Sequence, residues 1–444
     1  MGSKQPAAAP EGQREQFSNR WGFILACIGS AVGMANVWAF PYRAAKYGGG
    51  SFILVYLIIA LFLGFTGVAA EIAFGRWGRT GPLGTFRKAL TQRGKPAKDI
   101  GIIPVLGSLA IGIGYAVIIG WVLRYLVGSV SGALIRTDTG EYFGQIVGSF
   151  GSLGWHMLGL GIALVVMIAG VTAGIEKINK VMMPLFFIMF ALMAVRVASI
   201  PGAREGYEYL FVPKWEYILK PETWVYALGQ CFFSLSLAGS GTVVYGSYLD
   251  DHEDVLTCAR NIAVFDTLAA LLASMVVIPA VFAFGFDPAS GPPLMFITMP
   301  AIFQSMGGGA VFSIVFFVAI LFAGLTSIVN LFETPVEALQ QRFHFSRVKA
   351  SVIVVAVAAL VGVFLENGDV VGSWMDAVSI YIIPVGALIS AIIFFWFMGP
   401  KFVKEQIQLG RDKPVFPWVV PIGRYVFCGV TIVVLILGIF FGGI

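Results

Sequence analysis

Of the 444 residues, 58% are hydrophobic and 12% charged, and the mean hydropathy is +0.86. That composition excludes an ordinary soluble domain and points to a polytopic membrane protein. The formal charge of +5 sits in short basic loops, where membrane lipid headgroups and topology account for it, so no nucleic-acid partner is implied.

Residues 1–18 begin with a small, polar, Pro- and Ala-rich stretch that reads as a cytoplasmic tail rather than a signal peptide. Apolar runs of about 20 residues then predict spans over 19–43, 50–78, 100–133, 153–173, 180–200, 223–248, 256–285, 308–340, 349–365, 373–399 and 416–442. The fold class is therefore all-α, with about eleven transmembrane helices. The first span interrupts itself at Gly29-Ser30-Ala31-Val32-Gly33-Met34-Ala35-Asn36-Val37-Trp38-Ala39-Phe40-Pro41. Unwound backbone survives in hydrocarbon only where protein, ions or substrate satisfy its N–H and C=O groups, so this break is a binding-site candidate. A second break, Ser234-Leu235-Ser236-Leu237-Ala238-Gly239-Ser240-Gly241-Thr242, falls in the sixth span. Paired interrupted spans point to an inverted-repeat secondary transporter.

Basic residues mark the cytoplasmic loops. Arg76, Arg79, Arg87, Lys88, Arg93, Lys95 and Lys98 follow the second span, and Lys401, Lys404, Arg411 and Lys413 follow the tenth. The opposite loops carry few, such as Arg136, Arg204, Lys214 and Lys220. This places a multi-pass protein in the cell (inner) membrane with its N-terminus cytoplasmic and its C-terminus extracytoplasmic. The acidic run Asp250-Asp251-His252-Glu253-Asp254 lies where basic residues are expected, and acidic residues are weak topology signals.

Cys27, Cys231, Cys258 and Cys428 lack paired spacing, and His156, His252 and His344 are far apart, so neither a disulfide framework nor a zinc site is expected. With no nucleophile elbow, P-loop or carboxylate pair, the chain does not read as an enzyme. A channel would need a polar stripe along several helices, whereas polar residues here concentrate at the two breaks.

A broken helix offers free amides at one cut end and free carbonyls at the other, and a zwitterion fits between them. Carbonyls near Ser30, Phe233 and Ser236 would face an ammonium, and amides over Ala31–Ala35 a carboxylate, with Gly33 permitting close approach. Asp266 lies in an otherwise apolar helix, where an unpaired carboxylate is costly, so a cation is expected beside it.

Arg20-Trp21-Gly22-Phe23 leading into the first break, Gly48-Gly49-Gly50, Glu71 and Gly75-Arg76 are followed by Gly174-Ile175-Glu176-Lys177 with Met183-Pro184. Then come Gly229-Gln230-Cys231-Phe232-Phe233-Ser234-Leu235-Ser236, Tyr245-Gly246-Ser247-Tyr248 and Ala323-Gly324-Leu325-Thr326-Ser327. In that order these motifs resemble the neurotransmitter:sodium symporter family, and the short loops resemble its bacterial amino-acid transporter branch. The resemblance implies the leucine-transporter fold, a 5+5 inverted repeat over 19–200 and 223–399 with discontinuous helices one and six. An extracellular loop at 201–222 would join the repeats, and 400–444 would supply a cytoplasmic loop and the last span.

By the same resemblance, the substrate site comprises Ser30, Ala31, Gly33, Ala35, Ile111, Tyr115, Ile118, Phe233, Ser236, Gly239, Ser327 and Leu331, with the Tyr115 hydroxyl on the substrate carboxylate. Relatives that carry monoamines have an aspartate at the position of Gly33, so this chain is expected to take substrates that bring their own carboxylate. Gly239 replaces a phenylalanine and Ile111 a valine, which together imply a medium to large apolar or aromatic amino acid. An amino-acid-derived osmolyte or amine is the alternative. Two sodium sites are implied: the Ala31 carbonyl, Asn36, Ser234 and Asp266, completed by the substrate carboxylate; and the carbonyls of Gly29, Val32 and Ala323 with the hydroxyls of Thr326 and Ser327. Oxygen-only ligands suit a hard cation.

Chloride-dependent relatives carry an asparagine at the position of Asp266 and a serine at that of Ala270. Although Tyr56, Gln230 and Ser234 retain other parts of the anion site, the fixed carboxylate implies chloride-independent transport, with proton countertransport through Asp266. The outer-gate arginine is replaced by Ala39, and Arg43, one turn farther along, is the candidate replacement facing Asp376 above the Tyr115–Phe233 lid. Arg14 matches the inner-gate arginine, its usual partner aligns with Gln341, Glu337 is the alternative, and Phe17 replaces a tryptophan. Glu71 is expected to cap backbone near the span-six break.

Overall fold

The computed structural model describes residues 16–441, apart from 97, 149, 238–239 and 288–292. Seven helices among these residues are long and apolar enough to cross a membrane: Gly50–Gly78, Ile102–Ser131, Val171–Ala198, Val255–Ala283, Gly309–Phe343, Arg347–Leu365 and Val419–Gly438. Arg20–Ala31 with Ala35–Lys46, bent by 53°, and Ile383–Phe397 with Pro400–Gln408, bent by 101°, raise the number to nine if each pair is one span. Leu153–Ile168 is apolar but shorter, and the sixth predicted span is divided into Pro221–Ser234 and Gly241–Gly246.

The fifth span begins earlier than its expected start at 180. Gly170, with φ of 90°, makes the turn after Leu153–Ile168, and helix resumes at Val171. Residues 174–179, expected to lie between two spans, are helical, and Glu176 among them is buried. It accepts bonds from the Ser18 amide at 2.7 Å and the Ser18 hydroxyl, and pairs with Lys180. Residues 16–18 are thus tied to this helix, with Thr172 Oγ1 donating to the Gln16 carbonyl at 2.7 Å. Phe17 packs edge-on against Phe23, Tyr245 and Tyr248.

Segments expected as loops also contain helix. Ala203–Phe211 buries Ala203, Gly206 and Leu210 on one face and sets an Arg204–Glu208 ion pair at i,i+4 on the other. Leu294–Ser305 and Pro400–Gln408 are likewise helical.

The first half-span is central. All of Gly22–Ala31 except Leu25 is buried, the mark of a helix with neighbours all round. It packs against Val171–Ala198, Val255–Ala283 and Gly309–Phe343. The most extensive helix pair is Gly309–Phe343 with Ile102–Ser131. Those contacts hold the first break against both long helices.

Candidate functional site at two helix breaks

Val32 ends the first half-helix with ψ of 93°, and a π turn over Ala35–Ala39 restarts the chain. Asn36 secures the gap, because its Oδ1 accepts from the Gly33 amide at 3.0 Å. In the second break Ser236 and Ser240 adopt left-handed backbone, φ 55° and 51°. Such strain in non-glycine residues persists only where the surroundings enforce it. Ser236 is held by its side chain, whose hydroxyl donates to the Ser30 carbonyl at 3.1 Å and receives the Ser30 hydroxyl at 3.3 Å. The two breaks are therefore bonded directly to each other.

Between them lies a small cavity of about 40 Å³. Ten of the expected substrate-site residues line it: Ser30, Ala31, Gly33, Ala35, Ile111, Tyr115, Phe233, Ser236, Ser327 and Leu331. Ile118, one turn beyond Tyr115, is buried outside the lining, and Gly239 lies outside the described residues. A Cβ on Gly33 would stand 2.7 Å from Ser327 Oγ and 3.6 Å from the Tyr115 hydroxyl, so a side chain there would have to displace the Ser327 hydroxyl.

Ser108, Gly241, Asn330 and Ile383 also line the cavity. Helical spacing could have found two of them: Ser108 is three residues before Ile111, and Asn330 three after Ser327. Gly241 belongs to the break itself. Ile383 carries no sequence signal, since only the packing of a distant helix brings it in.

Beside the cavity, Asn36, Ser234 and Asp266 converge. Asp266 Oδ1 accepts from Asn36 Nδ2 and from Ser234 Oγ, each at 2.7 Å. Tyr56 donates to Oδ2 at 3.0 Å, and Asn36 Nδ2 also reaches Ser234 Oγ at 3.1 Å. Asp266 is fully buried, and among the described residues its hydrogen-bond partners are neutral, with no Lys or Arg paired to it. Ala31, the remaining residue of this set, is on the cavity wall.

The second oxygen set gathers at Gly29. Ser327 Oγ lies 3.4 Å from the Gly29 carbonyl, and Thr326 Oγ1 donates to the carbonyls of Phe322 at 2.9 Å and Ala323 at 3.2 Å. Val32 is at the cut end of the same half-helix.

The gate residues are placed differently from expectation. Arg43 Nη1 donates to Gln230 Oε1 at 2.9 Å, and Gln230 Nε2 donates onward to the Ala35 carbonyl at 3.1 Å. Arg43 therefore braces the first break, and no direct Arg43–Asp376 ion pair is present among the described residues. Arg14 lies outside the described residues. Glu71 is buried and accepts from the Thr242 hydroxyl, which ties it to the span-six break, and among the described residues that side chain is its bonding partner there.

The family model for the sodium:neurotransmitter symporter family matches residues 14–145 and 142–441. The chain is 35% identical over 340 residues to an uncharacterized sodium-dependent transporter of Bacillus subtilis, covering 76% of this chain and 75% of that protein. Another such transporter, from Haemophilus influenzae, is 31% identical over 365 residues, 80% and 79% of the two chains. The fold matches the crystal structure of MhsT in complex with L-phenylalanine with a TM-score of 0.85 and 31% identity, covering 96% of this chain and all of that one.

Proposed function

The chain belongs to the sodium:neurotransmitter symporter family, and from that premise we propose that it imports a zwitterionic amino acid by alternating access, coupled to two sodium ions and independent of chloride. It is a secondary transporter of a sodium-dependent family, not an enzyme. The observation that carries the substrate reading is the cavity between two interrupted helices, with glycine at position 33 and a buried carboxylate at 266 alongside.

At the cavity, amides of the first break offer donors for a carboxylate, with the Tyr115 hydroxyl beside them, while Ser30, Phe233 and Ser236 offer oxygens for an ammonium. Gly33 brings no carboxylate of its own to the cavity, which favours a substrate that supplies one. Ile111, Phe233, Leu331 and Ile383 give the remaining wall its apolar character. That wall, and the phenylalanine bound by the structural relative, favour an apolar or aromatic side chain. At about 40 Å³ the cavity holds only a few waters, so substrate enters when the helices part.

The first sodium site is Ala31, Asn36, Ser234 and Asp266, and the second is Gly29, Val32, Ala323, Thr326 and Ser327. Asp266 supplies a fixed negative charge, which removes the need for a mobile anion and makes it the route for proton countertransport. The N-terminus faces the cytoplasm, in a cell membrane. Arg14, Arg43, Tyr115, Phe233 and Asp376 remain the gate candidates, with Arg43 acting through Gln230.

The test is uptake into proteoliposomes under a sodium gradient, across labelled amino acids, with chloride or gluconate. Saturable, sodium-driven, chloride-indifferent uptake of apolar or aromatic amino acids supports the reading. Chloride stimulation at fixed sodium would overturn chloride independence, and displacement by decarboxylated analogues alone would favour an amine substrate.

A further inference from the structure

Gly22 and Gly29 are seven residues apart, which puts them on one face of the first half-span. That face meets Val171–Ala198. Each glycine makes room for an oxygen-bearing side chain of that helix: a Cβ on Gly22 would overlap the Glu176 carboxylate, and one on Gly29 would overlap Asn179 Oδ1. The Glu176 oxygens are satisfied by Ser18 and Lys180. The Asn179 oxygen is not.

Asn179 is fully buried, its Nδ2 donates to the Ile175 carbonyl at 2.8 Å, and among the described residues its Oδ1 has no hydrogen-bond partner. The amide cannot simply be turned over, because that would set Oδ1 against the Ile175 oxygen. A buried, unpartnered acceptor is destabilising and calls for a reason. Its surroundings supply one. Thr326 flanks the same glycine, its Cβ 3.1 Å from the position a Gly29 Cβ would take. Ser327 reaches the Gly29 carbonyl, and Thr326 reaches that of Ala323. Carbonyl, hydroxyl and amide oxygens therefore converge around Gly29, the donor chemistry of a hard cation.

We infer that Asn179 Oδ1 is a further ligand of the second sodium ion, joining the cage by a side-chain rotation and tying the fifth span to the first while sodium is bound. The inference rests on the proposed second sodium site. It also has a distinctive signature. Without sodium the unpartnered oxygen is a liability, so removing it leaves the sodium-free protein no less stable while the gain from sodium shrinks.

The test is the thermal unfolding midpoint of the purified, substrate-free protein titrated with sodium against potassium at constant ionic strength, for wild type, Asn179→Ala, Asn179→Ser, Asn179→Asp and Ser327→Ala. Asn179→Ala and Asn179→Ser are expected to raise the half-saturating sodium concentration by about tenfold, the scale on which ligand-supporting groups act. Neither should lower the midpoint in potassium, and Asn179→Asp should restore the sodium response. If Ser327→Ala weakens the sodium response while both neutral Asn179 variants leave half-saturation within about twofold, Asn179 is no ligand and the site stands without it. An equal drop in midpoint in both salts would reduce Asn179 to a packing contact and also overturn the inference. If no variant, Ser327→Ala included, alters the sodium response, the second sodium site itself is wrong.

Discussion

Replacing Asp266 by asparagine tests the charge logic of the site most directly. The carboxylate is fully buried and receives hydrogen bonds from Asn36, Ser234 and Tyr56 between 2.7 and 3.0 Å. A sodium ion held by Asn36 Oδ1 and Ser234 Oγ would lie within about 4 Å of that charge, where two unit charges at an effective dielectric constant of about 20 attract by about 4 kcal/mol. Asp266→Asn removes that attraction, and 4 kcal/mol corresponds to a change of nearly a thousandfold in affinity at about 1.4 kcal/mol per decade. A second effect has a different signature. The new amide can keep its oxygen toward Asn36, but the Tyr56 and Ser234 hydroxyls that donated to the other oxygen must turn to accept from its nitrogen, costing about 0.5–1.5 kcal/mol of stability whether or not sodium is present. Unfolding midpoints in potassium isolate the second effect, and sodium titration of midpoint and uptake isolates the first. The expected result is a half-saturating sodium concentration raised by about two to three orders of magnitude, with uptake that becomes sensitive to chloride. A half-saturation within about twofold of wild type, with chloride still without effect, would refute the assignment of Asp266 to a sodium site.

Arg43→Ala and Gln230→Leu should couple by about 1.5–3 kcal/mol in a double-mutant cycle on stability, the value of a charged hydrogen bond, whereas Arg43→Ala with Asp376→Ala, which interact without a direct ion pair, should couple by less than about 1 kcal/mol. Ser236→Gly and Ser236→Ala both lose the bond to Ser30, but only glycine relieves the left-handed backbone, so chemical denaturation should find the glycine variant more stable by about 1 kcal/mol. Gly33→Ala should reduce initial uptake at least about tenfold, because its Cβ meets Ser327 Oγ, and expression with normal monodispersity would separate this loss from misfolding. Asp254 caps Val255–Ala283 in a loop: burial works against its charge, but bonds from Thr257 and Arg411 hold its pKa below the ordinary aspartate value. Its contribution is therefore present above the ordinary aspartate pKa and lost as pH falls through the lowered one. Asp254→Asn should flatten that acid limb of the stability profile.

The two breaks were legible because glycine and serine inside an apolar run contradict the local helix, and a contradiction at that depth marks function. Asp266 was legible for the same reason. The expected gap between spans at 174–179 is helical instead, and the charged Glu176 in it is accommodated because the chain at 16–18 comes back to it and to Thr172, a contact across more than 150 residues. Arg43 was expected to face Asp376, and its charge does act on that carboxylate, but its direct bond to Gln230 had no signal in sequence because Gln230 lies on another half-helix. Asn330 and Ser108 were within reach of periodicity, whereas Asn179 and Ile383 become meaningful only once distant helices meet.

The bonds at the first break also suggest why sodium and substrate would bind together. Asn36 spends its nitrogen on Asp266 and Ser234 and its oxygen on the Gly33 amide. A sodium ion that takes Asn36 Oδ1 competes with that amide, and the freed Gly33 N–H then faces the cavity where the substrate carboxylate is proposed to lie. At the proposed sites sodium would uncover a donor for substrate, and the carboxylate would stabilise the arrangement that sodium requires. Linkage makes the effect reciprocal: whatever factor sodium adds to substrate affinity, substrate must add to sodium affinity. The Ser30–Ser236 bonds carry the same event to the other helix, since any movement of the first break pulls on a residue already held in left-handed backbone. Two helices that each look locally defective are bonded into one unit, and in the proposed cycle ions and substrate would compete with the protein's own amides for the oxygens between them.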